Sequence, residues 1–218
     1  MVMGRLPWSE KSEWLFPIAD ENRMDKSLRE GPNDIDAAVE IILPHLNARR
    51  TCIQAGGNIG FWPIRLSQLF AQVITFEAEP INFECLENNL RGLDNIIPIH
   101  AALSNQPGKT VRMILDDKGN TGAYYAVPNG DIPTITIDEL RLEDVDLIYL
   151  DIEGAEYAAL LGAKHTICKS WPIIGVETKW HGRRGMGTGD LVKWICLTFD
   201  YEVIGKPTRL DTILKKRQ

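Results

Sequence analysis

From Asp34 onward, apolar and polar positions alternate in two different periods. The stretch DIDAAVEIILPHL has helical spacing behind an acidic N-cap and ends near Pro44. TCIQA then reads as a strand, NIGFWPIRLSQLF as a helix, QVITFE as a strand, PINFECLENNL as a helix and NIIPIHAAL as a strand. Short apolar strands alternating with longer amphipathic helices predict an α/β fold, a doubly wound parallel sheet covered on both faces. KTVRMIL and AYYAV follow as an inserted antiparallel pair. Next come TITIDEL, the buried strand DLIYLD, a helix from Glu156 to about Cys168 and the strand PIIGVET. The helix DLVKWICLTF and an antiparallel edge strand, YEVIG, close the pattern. Residues 1–33 show neither period and carry Pro7, Pro17 and the Gly31–Pro32 breaker. They read as an N-terminal extension, a lid or pocket wall, on a main domain spanning 34–218.

At 218 residues, 44% hydrophobic and 25% charged, the chain suits one well-buried domain. Its formal charge of −6 excludes a general basic surface for nucleic acid, though a local basic loop could dock one phosphate. The opening MVMGRLPWSEKSEWLF lacks the apolar core of a signal peptide, and no segment approaches the length of a membrane span, so a cytoplasmic protein is expected. Cys52, Cys85, Cys168 and Cys196 are far apart and form no C-x-x-C pair. Four buried thiols are expected rather than disulfides or a zinc site.

The stretch QAGGNIGFWPIRLSQLF joins the first strand of this pattern to its helix, which is where such sheets bind ligands. Gly56, Gly57 and Gly60 allow positive φ and close approach of a ligand to the backbone, and the helix N–H groups beyond them favour an anion. Pro63 fits the first helical turn. Glu77 ends the next strand, 21 residues after Gly56, where a carboxylate can accept hydrogen bonds from both hydroxyls of a ribose. An adenosine-containing ligand follows. The missing GK[ST] argues against a phosphate-cradling P-loop. Two readings remain open on spacing: A-x-G-x-x-G from Ala55 approximates a dinucleotide loop, and G-x-x-x-G from Gly56, with Asn58 at its centre, approximates a methyltransferase loop.

The chain resembles the FkbM family of S-adenosylmethionine-dependent methyltransferases over about Thr51 to Glu177. QAGGNIGFW is similar to the family's D-V-G-A-N-I-G loop, and VITFEAEPINFECLENNL to its V-x-x-F-E-P and N-F-x-x-L-x-x-N segments. IHAALSNQPG matches A-L-S-x-x-x-G, and DLIYLDIEGAEYAALLGA matches D-x-I-K-I-D-V-E-G-x-E-x-x-x-L-x-G. PIIGVE matches the proline-led strand ending in glutamate. The resemblance implies a class I methyltransferase fold with strand order 3-2-1-4-5-7-6. It also implies that Gly56, Asn58 and Gly60 line the methionine side, Glu77 holds the ribose, and Ala101, Ala102 and on to Ser104 border the adenine. Asp151 and Glu153 then stand beside the methyl group. Gln54 replaces the family's acid and Gly57 its alanine. A glutamine still offers a carbonyl acceptor to the ammonium of the cofactor or to a water, without the charge. The expectation is cofactor binding about tenfold weaker than in a Gln54→Asp variant.

Methyl transfer to a hydroxyl needs alignment and a proton acceptor. Asp151 and Glu153 lie two apart in an extended stretch and face one side, with Gly154 turning the chain before Glu156, a first-turn carboxylate favoured by the helix dipole. The loop ETKWHGRRGMGTGD carries Glu177, Lys179, His181, Arg183 and Arg184 among glycines, and such loops bind or cover substrate. His181 is a candidate second base, and Arg183 and Arg184 are candidate contacts for a phosphate or carboxylate on the acceptor. Tyr124, Tyr125 and Trp180 are candidates for an aromatic wall. Asp151, Glu153 and Glu177 could converge on a divalent ion, but no histidine sits at ligand spacing and no metal is expected. The expected activity is methylation of a hydroxyl on a sugar or other small or glycan-linked acceptor, with S-adenosylhomocysteine as product. Competing readings are a non-catalytic S-adenosylmethionine-binding or scaffolding protein, suggested by Gln54, and an NAD(P)-dependent oxidoreductase.

Overall fold

The two periods resolve into alternating strands and helices in a computed structural model that describes residues 2–4, 14–17, 33–116, 120–177 and 188–218. Along the chain lie β1 (Val2–Gly4), β2 (Trp14–Phe16), α1 (Asn33–Ile42), β3 (Thr51–Ala55), α2 (Phe61–Ser67), β4 (Gln72–Glu77), α3 (Pro80–Asn89), β5 (Ile96–His100) and β6 (Ala102–Leu103). They are followed by β7 (Thr110–Leu115), β8 (Tyr124–Pro128), β9 (Ile132–Ile135), β10 (Val145–Leu150), α4 (Glu156–Leu161), α5 (Lys164–Ser170), β11 (Ile173–Glu177), α6 (Thr188–Phe199), β12 (Tyr201–Gly205) and β13 (Asp211–Lys216). Single 3-10 turns at Leu43–His45, around Pro44, and Ile137–Leu140 complete the set.

The main sheet has the order β12-β13-β11-β10-β3-β4-β5, and numbering its own strands along the chain gives 3-2-1-4-5-7-6 from the β5 edge. β3 pairs in parallel with β4 on one side and β10 on the other, so strand order reverses between β3 and β10. β7 and β8 form the expected antiparallel hairpin, in a second sheet with β6 and β9.

Three elements differ from the sequence pattern. YEVIG is the expected antiparallel edge strand, but its partner is β13, an additional strand inserted between it and β11. β13 is only six residues long, and its apolar content is confined to Ile213 and Leu214, too little to mark it by period. The expected helix from Glu156 to Cys168 breaks into α4 and α5 at Gly162, where an added Cβ would lie 2.3 Å from the Ser104 carbonyl oxygen. The chain steps aside there to let that backbone pass. NIIPIHAAL divides at Ala101, its second part leaving the main sheet for the small one.

Strand alternation builds an apolar layer on each face. Cys52 of β3, Leu147 and Tyr149 of β10 and Val73 of β4 face α1, α2 and α3; Ile53, Ala55, Ile148, Leu150, Ile74 and Phe76 face α4, α5 and α6. Of the thiols, Cys52 and Cys85 are buried, Cys196 is half-buried and Cys168 is exposed, so the expectation of four buried thiols holds for two. Cys168 follows Ile167, the residue that turns toward the sheet, and so falls on the outer side of α5.

β2 is embedded in the first layer, with Trp14 fully buried and Phe16 nearly so. Asn89 fastens it there: its Oδ1 accepts the Leu15 N–H (2.8 Å), and its Nδ2 donates to the Leu15 carbonyl (2.7 Å) and to that of Ile59 (2.8 Å). One side chain thus ties the N-terminal strand to the loop after β3. Asn89→Ala is expected to lower stability by on the order of 3 kcal/mol, because buried backbone groups lose partners with no replacement. Urea unfolding compared with an exposed control on the same helix such as Glu87→Ala checks it.

Candidate functional site

A cavity of about 850 Å³ opens beyond the carboxyl ends of β3, β4 and β10, where the strand order reverses. Its floor is the loop after β3. Gly56 has φ +83°, and a Cβ there would lie 1.9 Å from the Asp151 carbonyl oxygen, so only glycine passes between the two strand ends. The N–H groups of Gly56 and Gly57 both donate to the Phe76 carbonyl, at 3.0 and 2.8 Å, and the Asp151 N–H donates to the Ala55 carbonyl at 3.0 Å. The loop is stitched to β4 on one side while β10 is stitched to β3 on the other.

Glu77 closes β4 against this loop. Its Oε2 accepts the Asn58 N–H and its Oε1 the Glu79 N–H, both at 2.7 Å. Burial pushes its carboxyl up to about 7, outweighing the pull of these N–H donors toward the charged form. Each oxygen keeps a second lone pair, so the group can still accept two hydroxyls. Asn58 and Asn82 also line the cavity, and the Oδ1 of each is buried without a hydrogen-bond partner. The Asn82 Nδ2 donates to the Thr121 carbonyl (2.7 Å), fixing the amide's orientation and holding Thr121 at the cavity. Paired acceptors at Glu77, further acceptors at Asn58 and Asn82, and the small Ala101 and Ala102 suit a nucleoside carrying hydroxyl and amine donors.

The other end of the cavity is acidic. Asp151, Glu153 and Glu177 bring one carboxylate oxygen each within 4.8 Å of one another, a spacing that a divalent cation could bridge. Glu153 sits at φ +52° and Gly154 at φ +99° in the turn before α4. Glu156 holds that turn: its Oε1 accepts the N–H groups of Ile152 (3.0 Å) and Gly154 (3.2 Å). Burial pushes Glu156 up to about 7 despite these donors. It therefore does more than complement the helix dipole: it holds the turn that carries Glu153.

Of the residues singled out in the sequence, Gly56, Gly57, Asn58, Glu77, Ala101, Ala102, Asp151, Glu153 and Glu177 all line this one cavity. Tyr124 joins them, while Tyr125 does not. Gln54 is a correction. It is fully buried beneath the loop, with its Nε2 donating to the Gly56 carbonyl (3.0 Å) and its Oε1 accepting the Thr75 hydroxyl (2.5 Å), and it does not line the cavity. Gln54 precedes the last strand residue, and alternation turns it to the helix side with Cys52. Gly60 is likewise outside the lining: at φ +115° it caps α2 and packs near Trp14. The Ser104 hydroxyl accepts the Gln106 N–H, and the residue lies outside the lining formed by Ala101, Ala102 and Leu103. Lys179, Trp180, His181, Arg183 and Arg184 lie outside the described residues.

Sequence reasoning missed a second wall. Trp62 packs on Tyr149 with ring centroids 3.9 Å apart, and the Tyr149 hydroxyl donates to Asp211 (3.0 Å) on β13. Gly175 was the signal available, since a glycine inside a buried strand marks a close approach. A Cβ there would lie 2.3 Å from the Tyr149 ring. Trp62, Asp34 and residues 208–211 continue the cavity past the acidic cluster.

A family model described as methyltransferase FkbM domain matches residues 54–203. No curated protein matches the chain. Among solved structures, a methyltransferase FkbM from Methylobacillus flagellatus KT is 22% identical with a TM-score of 0.52, covering 76% of this chain and 43% of that one. The chain thus spans less than half the length of that protein. An rRNA methylase from Streptococcus thermophilus is 12% identical with a TM-score of 0.55, covering 85% and 97%. A Streptococcus mutans protein in complex with SAH is 13% identical with a TM-score of 0.51, covering 84% and 98%. At these identities the likenesses show the fold, the class I methyltransferase α/β sheet. Among the described residues no helix is long and apolar enough to cross a membrane.

Glu156 generates a pH prediction. Its carboxyl lies above the ordinary 4.5 in the folded state, so the folded protein binds the extra proton and stability falls as pH rises from about 4.5 through about 7. Glu156→Gln keeps the single accepting oxygen and removes the charge. It is expected to unfold later than wild type at pH 8, by about 2–3 kcal/mol, and equally at pH 4. Denaturant midpoints across that range test it.

Proposed function

The chain belongs to the FkbM methyltransferase family, and on that premise we propose that it moves a methyl group from S-adenosylmethionine to a hydroxyl oxygen of a sugar or other small or glycan-linked acceptor. The observation that carries this reading is the convergence of Glu77, the glycine loop and the acidic cluster on one cavity at the switch point. S-adenosylmethionine supplies an electrophilic sulfonium methyl and leaves as S-adenosylhomocysteine.

The chain's own residues do the rest. Glu77 accepts the ribose hydroxyls, and Ala101 and Ala102 leave room for the flat base. The buried acceptors of Asn58 and Asn82 take donors of the nucleoside. Asp151, at the end of β10 and flanked by Glu153 and Glu177, takes the hydroxyl proton as the oxygen attacks, and the neighbouring carboxylates accept the remaining hydroxyls of the acceptor. Among the described lining residues, the acceptor end carries Asp34, Asp151, Glu153, Glu177 and Asp211 against Arg209. That balance favours a neutral polyhydroxyl acceptor over an anionic one. The non-catalytic reading loses its motive, because Gln54 does not line the cavity. Family membership removes the motive for a dinucleotide oxidoreductase.

Incubation with labelled S-adenosylmethionine and pooled neutral sugars is expected to give labelled product, with Asp151→Asn slowing transfer about 10²–10⁴-fold while leaving S-adenosylhomocysteine affinity nearly intact. A wild type that neither transfers label nor binds S-adenosylhomocysteine refutes the assignment.

Glu77 makes cofactor binding pH-dependent. The ribose hydroxyls need the ionised carboxylate, and with the free group near 7 the proton must leave on binding. S-adenosylhomocysteine affinity is expected to rise about tenfold from pH 6 to pH 8 and then level off. Calorimetry in buffers of different ionisation enthalpy should register about one proton released per ligand at pH 6, and an affinity independent of pH would remove Glu77 from the contact.

A further inference from the structure

Gln54 and Gly57 both come up against the Thr75 hydroxyl beneath the cofactor loop. Gln54 is the register partner of Thr75 on β4 and of Tyr149 on β10, and it is fully buried between them. Its amide uses both ends: the Oε1 accepts the Thr75 hydroxyl at 2.5 Å and the Nε2 donates to the Gly56 carbonyl at 3.0 Å. The same Thr75 hydroxyl fills the space that a side chain at residue 57 would need. A Cβ on Gly57 would meet the Thr75 Oγ1 at 2.8 Å, Leu86 Cδ2 at 3.0 Å and the Phe76 carbonyl oxygen at 3.4 Å. Glutamine and glycine, the two residues that set this loop apart in the sequence, are therefore coupled through one threonine.

We propose that Gln54, Thr75 and Gly57 form a single brace that sets the position of the cofactor loop, with Gln54 acting as a positioning residue that never contacts the cofactor. The proposal rests on the reading of the cavity as the S-adenosylmethionine site. With the Gly56 and Gly57 N–H groups held by the Phe76 carbonyl, the Gln54 amide fixes the remaining free end of the Gly56 peptide. That in turn fixes Asn58, whose N–H meets the Glu77 carboxylate. A carboxylate cannot replace Gln54 in this role. It has no N–H to give the Gly56 carbonyl, and it would place a buried charge against a carbonyl oxygen. The expectation that Gln54→Asp binds cofactor more tightly is thereby reversed.

The test uses calorimetric S-adenosylhomocysteine affinity and ligand-free thermal midpoints for Gln54→Asp, Gln54→Glu, Gly57→Ala, Thr75→Ala and the Gly57→Ala/Thr75→Ala pair. Gln54→Asp and Gln54→Glu should each bind about tenfold more weakly than wild type at pH 8, the glutamate variant because it keeps length and the Thr75 contact but loses the donor. Gly57→Ala should weaken binding comparably and Thr75→Ala, which leaves the Gln54 bond to Gly56, by less; in the Thr75→Ala background the Gly57→Ala penalty should largely vanish, rescuing affinity to that of Thr75→Ala alone. A purely structural role would lower the midpoints without this rescue of affinity. Affinity equal to or above wild type in Gln54→Asp, or a Gly57→Ala penalty undiminished in the pair, overturns the brace. If wild type itself fails to bind S-adenosylhomocysteine, the cofactor reading falls, and the brace is then judged on midpoints alone: the Gly57→Ala loss must shrink in the Thr75→Ala background or the proposal fails with it.

Discussion

The close approach of backbone at Gly56 governs the site. Three parallel strands end together, and the chain leaving β3 must pass so near the Asp151 carbonyl that a single added carbon would overlap it. That contact leaves the loop one path, across the tip of β4, where the Phe76 carbonyl receives two N–H groups at once. From this path follow the reach of Asn58 to Glu77 and the placement of Asp151 on the opposite side. The Glu77 and Asp151 carboxylates are held apart by backbone geometry, which tolerates little adjustment.

Burial then sets the electrostatics of these fixed positions. Glu77 and Glu156 are both desolvated enough to titrate near neutrality, and each accepts backbone N–H groups that only partly compensate. Both choices work against stability at neutral pH, as does the left-handed Glu153. They are offset by the two apolar layers on either face of the sheet, which clamp every element that carries a site residue. Asn89 extends that clamp to β2, so the N-terminal strand and the cofactor loop share one buried side chain.

Much of this was legible in the sequence, for a physical reason. The β-α-β-α-β period, the glycine loop and Glu77 are local features whose spacing reflects backbone geometry, and they recur where that spacing places them. The fate of Gln54 was partly legible: alternation from Cys52 turns it away from the crevice, although its two partners could be found only from the register of β3 on β4. The break between α4 and α5 was not legible, because Gly162 yields to the Ser104 carbonyl, far away in sequence. β13 was hidden by its two-residue apolar content, and its burial comes from its neighbours on both sides.

The acidic end of the cavity was the least legible part. The glycine-loop end is built by backbone, so it demands glycines and leaves a pattern. The acidic end is assembled by side chains from distant elements: Asp34 from α1, Trp62 from α2 and Asp211 from β13, with Tyr149 of β10 buried behind the last two. What joins them is the opening that Gly175 leaves in β11 for the Tyr149 ring, which lets the phenol reach across that strand to Asp211. Burial pushes that phenol upward, so it remains a hydrogen-bond donor and Asp211 remains its acceptor. A wall held this way can change by single substitutions without disturbing the strand tips. The division of labour therefore lets the backbone-built end of the cavity stay fixed while the side-chain-built end varies.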